Sequence, residues 1–186
     1  DAPKPWEIIA ITFTNKAAGE LKDRLAARLG PDANDIWAST FHSACVRILR
    51  RDIDRLGFDK DFTIYDTDDS KRVIKDVLKE KHLDEKTYPP RSVLAAISHS
   101  KDQYESIEDF AKRAEAANDW RMKDYAKIYE AYEKKLRTAN ALDFDDIIYH
   151  TVTLLQREPE VLDYYQHKFR YVLVDEYQDT NHLQYL

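Results

Sequence analysis

The 186-residue chain carries 35 acidic against 29 basic side chains, a formal net charge of −6, with 43% hydrophobic residues. That is material for one well-packed domain, or a domain with a smaller insert, and its apolar runs fall short of the ~20 residues a membrane-crossing helix needs. A lone cysteine, Cys45, excludes an internal disulfide and a cysteine-rich zinc site, so a reduced, cytoplasmic setting is expected, and the opening Asp1-Ala2-Pro3-Lys4-Pro5 lacks the basic and apolar regions of a secretion signal.

Trp6 to Phe13 reads as a buried strand. Thr14 and Asn15 follow, and either can cap a helix that Ala17, Ala18, Leu21, Leu25 and Leu29 continue at three- and four-residue steps as far as Gly30-Pro31. A strand entering a helix through polar residues is half of a βαβ unit. The hydroxyls, amide and helix N-terminus of this junction suit phosphates, and Phe13 suits stacking on a base. The plainer alternative makes Phe13 core and leaves Thr14 and Asn15 as caps. Ile36-Trp37-Ala38 is a second short strand, with Ser39 or Thr40 capping a helix that carries Phe41, Cys45, Ile48 and Leu49 on one face and ends by Gly57. Arg47, Arg50 and Arg51 form either a solvated face of that helix or a phosphate contact; spacing leaves both open.

From residue 64 the pattern turns helical. One helix starts at Asp66 to Asp68, a second is capped by Ser92 and a third starts at Ser106. A long fourth carries Tyr125, Ile128, Tyr129, Tyr132 and Leu136 at helical spacing, a stripe that reads as core. Without a strong strand signal, residues 64–139 are expected to be an all-helical insertion in an α/β domain formed by residues 1–63 and 140–186. Charge follows the same division: 10 basic and 10 acidic residues in 1–63, 16 and 16 in 64–139, 3 and 9 in 140–186. The acidity is therefore confined to the last segment, which argues against a non-specific coating of nucleic acid but allows a narrow track.

Ala141 to Ile148 holds three acids, Asp143, Asp145 and Asp146. They suit a metal cluster, or more cheaply a capped helix start with Phe144, Ile147 and Ile148 facing inward. Pro159 opens a last helix carrying Val161, Leu162, Tyr165 and Phe169. It delivers the chain to Tyr171–Val174, an apolar run suited to a strand buried on both faces of a parallel sheet. Asp175 and Glu176 follow directly. Acids beyond the carboxyl end of such a strand can hold a divalent cation and take a proton from water, or can simply cap a turn.

The string Asp175-Glu176-Tyr177-Gln178-Asp179-Thr180 resembles motif II of the UvrD/PcrA/Rep-type superfamily 1 DNA helicases. Thr12 to Ala18 resembles motif Ia, Ser39 to Ser43 motif Ib, and Ala141 to Ile148 the stretch sometimes called motif Ic, all in the family's order. The resemblance implies a partial RecA-like P-loop NTPase parallel sheet. Residues 1–63 and 140–186 would be two parts of domain 1A, and 64–139 the 1B-like insertion that touches duplex DNA. It implies an ATP-driven motor that translocates on single-stranded DNA and unwinds duplex in repair or replication. By the same resemblance Asp175 would hold Mg²⁺, Glu176 would be the catalytic general base, and Gln178 and Asp179 would support the nucleotide site. Thr12, Phe13, Asn15, Lys16, Thr40, Phe41 and His42 would line the DNA track.

No GxxxxGK[ST] phosphate loop occurs in these residues. The chain thus resembles an N-terminal fragment without Walker A, expected on its own to hydrolyse no ATP and to hold neither ATP nor Mg²⁺ stably. Its expected partners are single-stranded DNA, a duplex junction, ATP and the rest of the helicase chain, with no membrane. Two other readings stay open: a helicase-nuclease of the AddA/RecB type, and a non-catalytic DNA- or protein-binding module. A carboxylate-metal hydrolase built from Asp143, Asp145, Asp146, Asp175 and Glu176 needs two distant stretches to converge, and is the least economical.

Overall fold

The computed structural model describes residues 2–175 and 184. The chain divides into two compact units, one made of Asp1–Leu56 with His150–Leu186 and the other of Gly57–Tyr149. These breaks differ from the expected 63/64 and 139/140. The cause is a strand pair: β3 (Thr63–Tyr65) lies parallel to β4 (Ala141–Asp143), with Ile64 opposite Leu142. Both flanks of the expected insertion are thereby tied into it, so it is not all-helical.

In the first unit β1 (Ile8–Thr12) lies between β2 (Trp37–Thr40) and β5 (Tyr171–Val174). Both neighbours run parallel to it, with Thr12 opposite Thr40 and Ile11 opposite Val174. The strand begins later than expected because Pro5–Glu7 form a 3₁₀ turn, closed by the Lys4 N–H donating to the Glu7 carboxylate at 3.0 Å. Trp6 is left exposed there. The helix α1 (Asn15–Leu29) joins β1 to β2, and Gly30 ends it at φ 61°, the left-handed region a residue without Cβ enters easily. Leu21 and Leu25 of α1 pack on Ala10, Ile36 and Ala38. Alternate strand residues point the other way: Ile9 and Ile11 meet Ala44 and Phe41 of α2 (Phe41–Asp52) and Phe169.

β5 joins the sheet in the expected parallel sense, but among the described residues it stands at the edge. Val172 and Leu173 are 61% and 59% exposed, so the expected burial on both faces does not hold. Among the described residues, apolar clusters that cover the sheet are assembled on β1 and β2.

The second unit holds α3 (Thr67–Glu80), α4 (Pro90–Asp102), α5 (Ile107–Ala117) and α6 (Trp120–Thr138) around a core of Ile74, Val77, Val93, Phe110, Ile128 and Tyr132. The tyrosine stripe of α6 is core, as its spacing predicts. Asp66 and Ser106 cap α3 and α5 as expected. Ser92 does not cap α4, which starts two residues earlier at Pro90; a proline's fixed φ and missing N–H suit a helix's first position. α7 (Phe144–Arg157) continues into the first unit, where α8 (Pro159–Lys168) opens on Pro159 as expected. Ile147 and Ile148 pack inward, but Phe144 is 50% exposed. As the helix's first residue it leans back past the helix end, off the packed stripe. Among the described residues no helix is long and apolar enough to cross a membrane.

Candidate nucleic-acid interface

The parallel register brings Thr12 and Thr40 side by side at the carboxyl ends of β1 and β2. Each strand there turns directly into a helix. Thr14 caps α1 by accepting the Ala17 N–H at 3.1 Å, and Thr40 caps α2 by accepting the Ser43 N–H at 3.2 Å. Two helix N-termini, with their unpaired N–H groups and positive dipole ends, therefore open at one edge of the sheet. Phe13 and Phe41 follow the paired threonines and come together, their rings 6.3 Å apart between centroids and within 10° of parallel. Both are half-buried, whereas Thr14, Asn15, Lys16 and His42 are exposed around them.

Thr12 differs from its neighbours. It is 1% exposed, and its hydroxyl donates to the Ser39 and Thr14 carbonyls at 3.5 and 3.4 Å. It holds the β1–α1 turn against β2 rather than offering a surface contact.

Asp175 stands at the same edge. Its N–H donates to the Ile11 carbonyl at 2.9 Å, extending the β1–β5 ladder by one residue, and its side chain is exposed. A solvated carboxylate beyond a parallel strand is a hard oxygen donor of the type Mg²⁺ takes. Glu176, Gln178 and Asp179 lie outside the described residues.

The acids of the 141–148 stretch do something else. Asp143 and Asp146 cap each other, Asp143 accepting the Asp146 N–H at 2.8 Å and Asp146 accepting the Asp143 N–H at 3.1 Å. This is the capped helix start. Between them lies a residue the sequence reading missed: Lys101, fully buried, whose ammonium reaches Asp143 at 2.8 Å, Asp146 at 2.7 Å and Glu133 at 2.5 Å. The Tyr132 hydroxyl also donates to Asp143 at 2.8 Å. The three carboxylates are thus gathered on the protein's own cation, which weighs against a metal-hydrolase reading of this stretch. Lys101 was detectable: it continues the Val93–Ile97 inward spacing of α4, where a charge is out of place. Burial pushes the Asp146 carboxyl well above the usual range, helped by the charges of Asp143 and Glu133. Burial acts the same way on Asp143, but the Lys101 ammonium outweighs it and holds that carboxyl low. Asp145 lines a neighbouring cavity of about 230 Å³ with Phe144 and Arg91, and burial followed by the Asp143 charge raises it to about 6. Cys45 is core, its thiol pushed up to about 12 by burial, so it is no nucleophile.

A family model described as the UvrD/REP helicase N-terminal domain matches residues 2–186. The chain is 54% identical over 182 residues to the ATP-dependent DNA helicase PcrA of Bacillus subtilis strain 168, covering 98% of this chain. It is 52% identical over 181 residues to a PcrA of Staphylococcus epidermidis and 51% to one of Staphylococcus aureus, covering 97% of the chain in each case. The chain spans 24% of the length of these relatives.

Proposed function

We infer, for a chain that belongs to the UvrD/REP helicase N-terminal domain family, that it supplies the single-strand grip and part of the nucleotide site of an ATP-driven DNA helicase. The observation that carries this reading is the Phe13–Phe41 stack between two helix N-termini, at the carboxyl edge of a parallel sheet. Aromatic faces take bases of any sequence, and helix N-termini take phosphates, which is the combination a translocating motor needs. Phe13 and Phe41 are assigned to the bases. Asn15, Lys16, Thr40 and His42 are assigned to the backbone, and Thr12 positions the turn.

Asp175, exposed at that edge, has the donor chemistry for Mg²⁺. Family resemblance assigns Glu176 as general base and Gln178 and Asp179 as support. Bound Mg-ATP would supply phosphoryl-transfer energy; this chain's residues orient it and move the proton from water. Because these residues contain no GxxxxGK[ST] loop, the chain alone is expected to turn over no ATP. Contact of the Gly57–Tyr149 unit with a duplex junction, a place in repair or replication and a cytoplasmic location belong to the same proposal. The relatives are named as helicases, so the helicase-nuclease reading is not favoured.

Two measurements test it. The chain should bind labelled oligothymidylate with strong salt dependence, and Phe13→Ala should weaken that binding. In a full-length helicase carrying this segment, Glu176→Gln should abolish ATP turnover while sparing binding to single strands. Binding indifferent to Phe13→Ala removes the stacking role, and turnover that survives Glu176→Gln removes the base.

A further inference from the structure

The β1–β2–β5 unit carries a second concentration of positive charge, at the end of its strands away from Thr12 and Thr40. α2 leaves Thr40 and runs back toward the start of β2, so Arg47, Arg50 and Arg51 on its last turns come beside Trp37. The end of α8 adds Tyr164 and Lys168, and these six residues line an open cavity of about 410 Å³. The Arg47 guanidinium carbon lies 3.6 Å from the Trp37 ring centroid, and that of Arg51 lies 3.6 Å from the Tyr164 ring. The Lys168 ammonium is 5.2 Å from the Trp37 ring. Stacking occupies the face of a guanidinium and leaves its in-plane N–H groups for oxyanions. Arg51 spends part of that capacity on Asp52. The ring faces taken by guanidinium groups are closed to a base. Tyr164 stays 40% exposed on its remaining surface, but the polar groups that converge on the opening are cations, and their chemistry is that of phosphate recognition.

We propose that this cavity is a second nucleic-acid site, one that holds the phosphodiester backbone without reading or stacking bases. The choice of phosphodiester over other oxyanions rests on the DNA-tracking function proposed above; the cationic cavity rests on geometry alone. A strand could then be gripped at both ends of the unit, by its bases at Phe13 and Phe41 and by its phosphates at Arg47, Arg51 and Lys168.

The probe is an abasic phosphodiester oligomer, which has nothing to offer the phenylalanine pair. The 186-residue chain should bind it, and Phe13→Ala/Phe41→Ala should leave that binding unchanged. Arg47→Gln/Arg51→Gln/Lys168→Gln should weaken it at least about tenfold and lower the salt slope by about 2, the release expected for three fewer phosphate contacts on a single strand. Should the triple variant fold poorly, mass-mapped arginine modification of the unaltered chain replaces it, with Arg47 and Arg51 expected to be protected by the abasic oligomer. Abasic binding indifferent to the triple variant, or no protection, overturns the proposal. So does displacement by inorganic phosphate or polyglutamate at oligomer-like concentrations, which would mark a free-phosphate or an acidic-protein site. Failure of the primary reading is separately visible, as oligothymidylate binding that the phenylalanine variant does not change.

Discussion

Lys101 and Asp143 form a buried ion pair at 2.8 Å across 42 residues of sequence, joining α4 to the start of α7. The ammonium donates to Asp143 and forms ion pairs with Asp146 at 2.7 Å and Glu133 at 2.5 Å. Removing it leaves three carboxyl groups facing one another out of water. Lys101→Met, close in length and apolar, should therefore cost roughly 3–5 kcal/mol, the range for breaking a buried pair from one side. Urea unfolding followed by circular dichroism measures it. A loss under about 1 kcal/mol, as for an exposed pair, would show that the ammonium is dispensable.

The same cluster fixes a pH dependence. Burial and the Asp143 charge raise the Asp145 carboxyl to about 6 in the folded chain from an ordinary 3.8, and burial raises Asp146 in the same direction. Between the ordinary and folded values the native state holds more protons than the unfolded one, so stability falls as pH rises through that window. Asp143 is lowered and acts oppositely, contributing stability that is lost only as pH falls below its ordinary 3.8. Urea midpoints should decline from about pH 4 to about pH 6. Asp145→Asn should flatten that slope partially, since Asp145 retains some exposure. A slope that the variant leaves intact would assign the dependence elsewhere.

Phe13 and Phe41 support each other as well as the proposed base. Each alanine substitution should cost about 1–3 kcal/mol of affinity for oligothymidylate, the usual worth of one stacked base. Rings in contact couple, so the double variant should lose measurably less than the sum of the singles. Fluorescence anisotropy on all four proteins gives the cycle, with thermal unfolding as the control. Strict additivity would mean that the two rings act on the strand independently.

Gly57 has φ 88°, and a Cβ there would lie 3.3 Å from an Arg137 guanidinium nitrogen. Gly57→Ala should lower stability by about 1 kcal/mol or more, through backbone strain and displacement of that side chain. Asn118, in the left-handed conformation that ends α5 at φ 50°, is the matched control: Asn118→Gly should be close to neutral. Denaturant midpoints compare the two.

The geometry of the candidate interface was legible because its signals are local. A strand running into a polar cap and then a helix shows in Phe13-Thr14-Asn15 and again in Thr40-Phe41, and parallel pairing brings the two together. What escaped reading depends on distant partners. β3 and β4 have only three residues each, too short to show a period, and exist through pairing with each other. The inward spacing of Lys101 after Val93 and Ile97 flags a charge in the core, but not the three acids, from α6 and the start of α7, that meet it. Thr12 reads as a surface hydroxyl until β2 covers it. Phe144 has an inward spacing, yet its place at a helix's first residue turns it out. For Tyr171–Val174 the apolar run correctly gave a parallel strand, but composition alone does not say on which side of the sheet the covering helices stand.

The central strand draws its two neighbours from very different distances: Ile9 lies beside Trp37 on one side and Val172 on the other. On the ribosome, every residue of the Gly57–Tyr149 unit emerges before Val172 does. That unit can close its own core while β1 still waits with one edge unpaired. Completion of the three-stranded sheet is then a late, long-loop event, and the slow phase of refolding should report on β5 docking rather than on the helices.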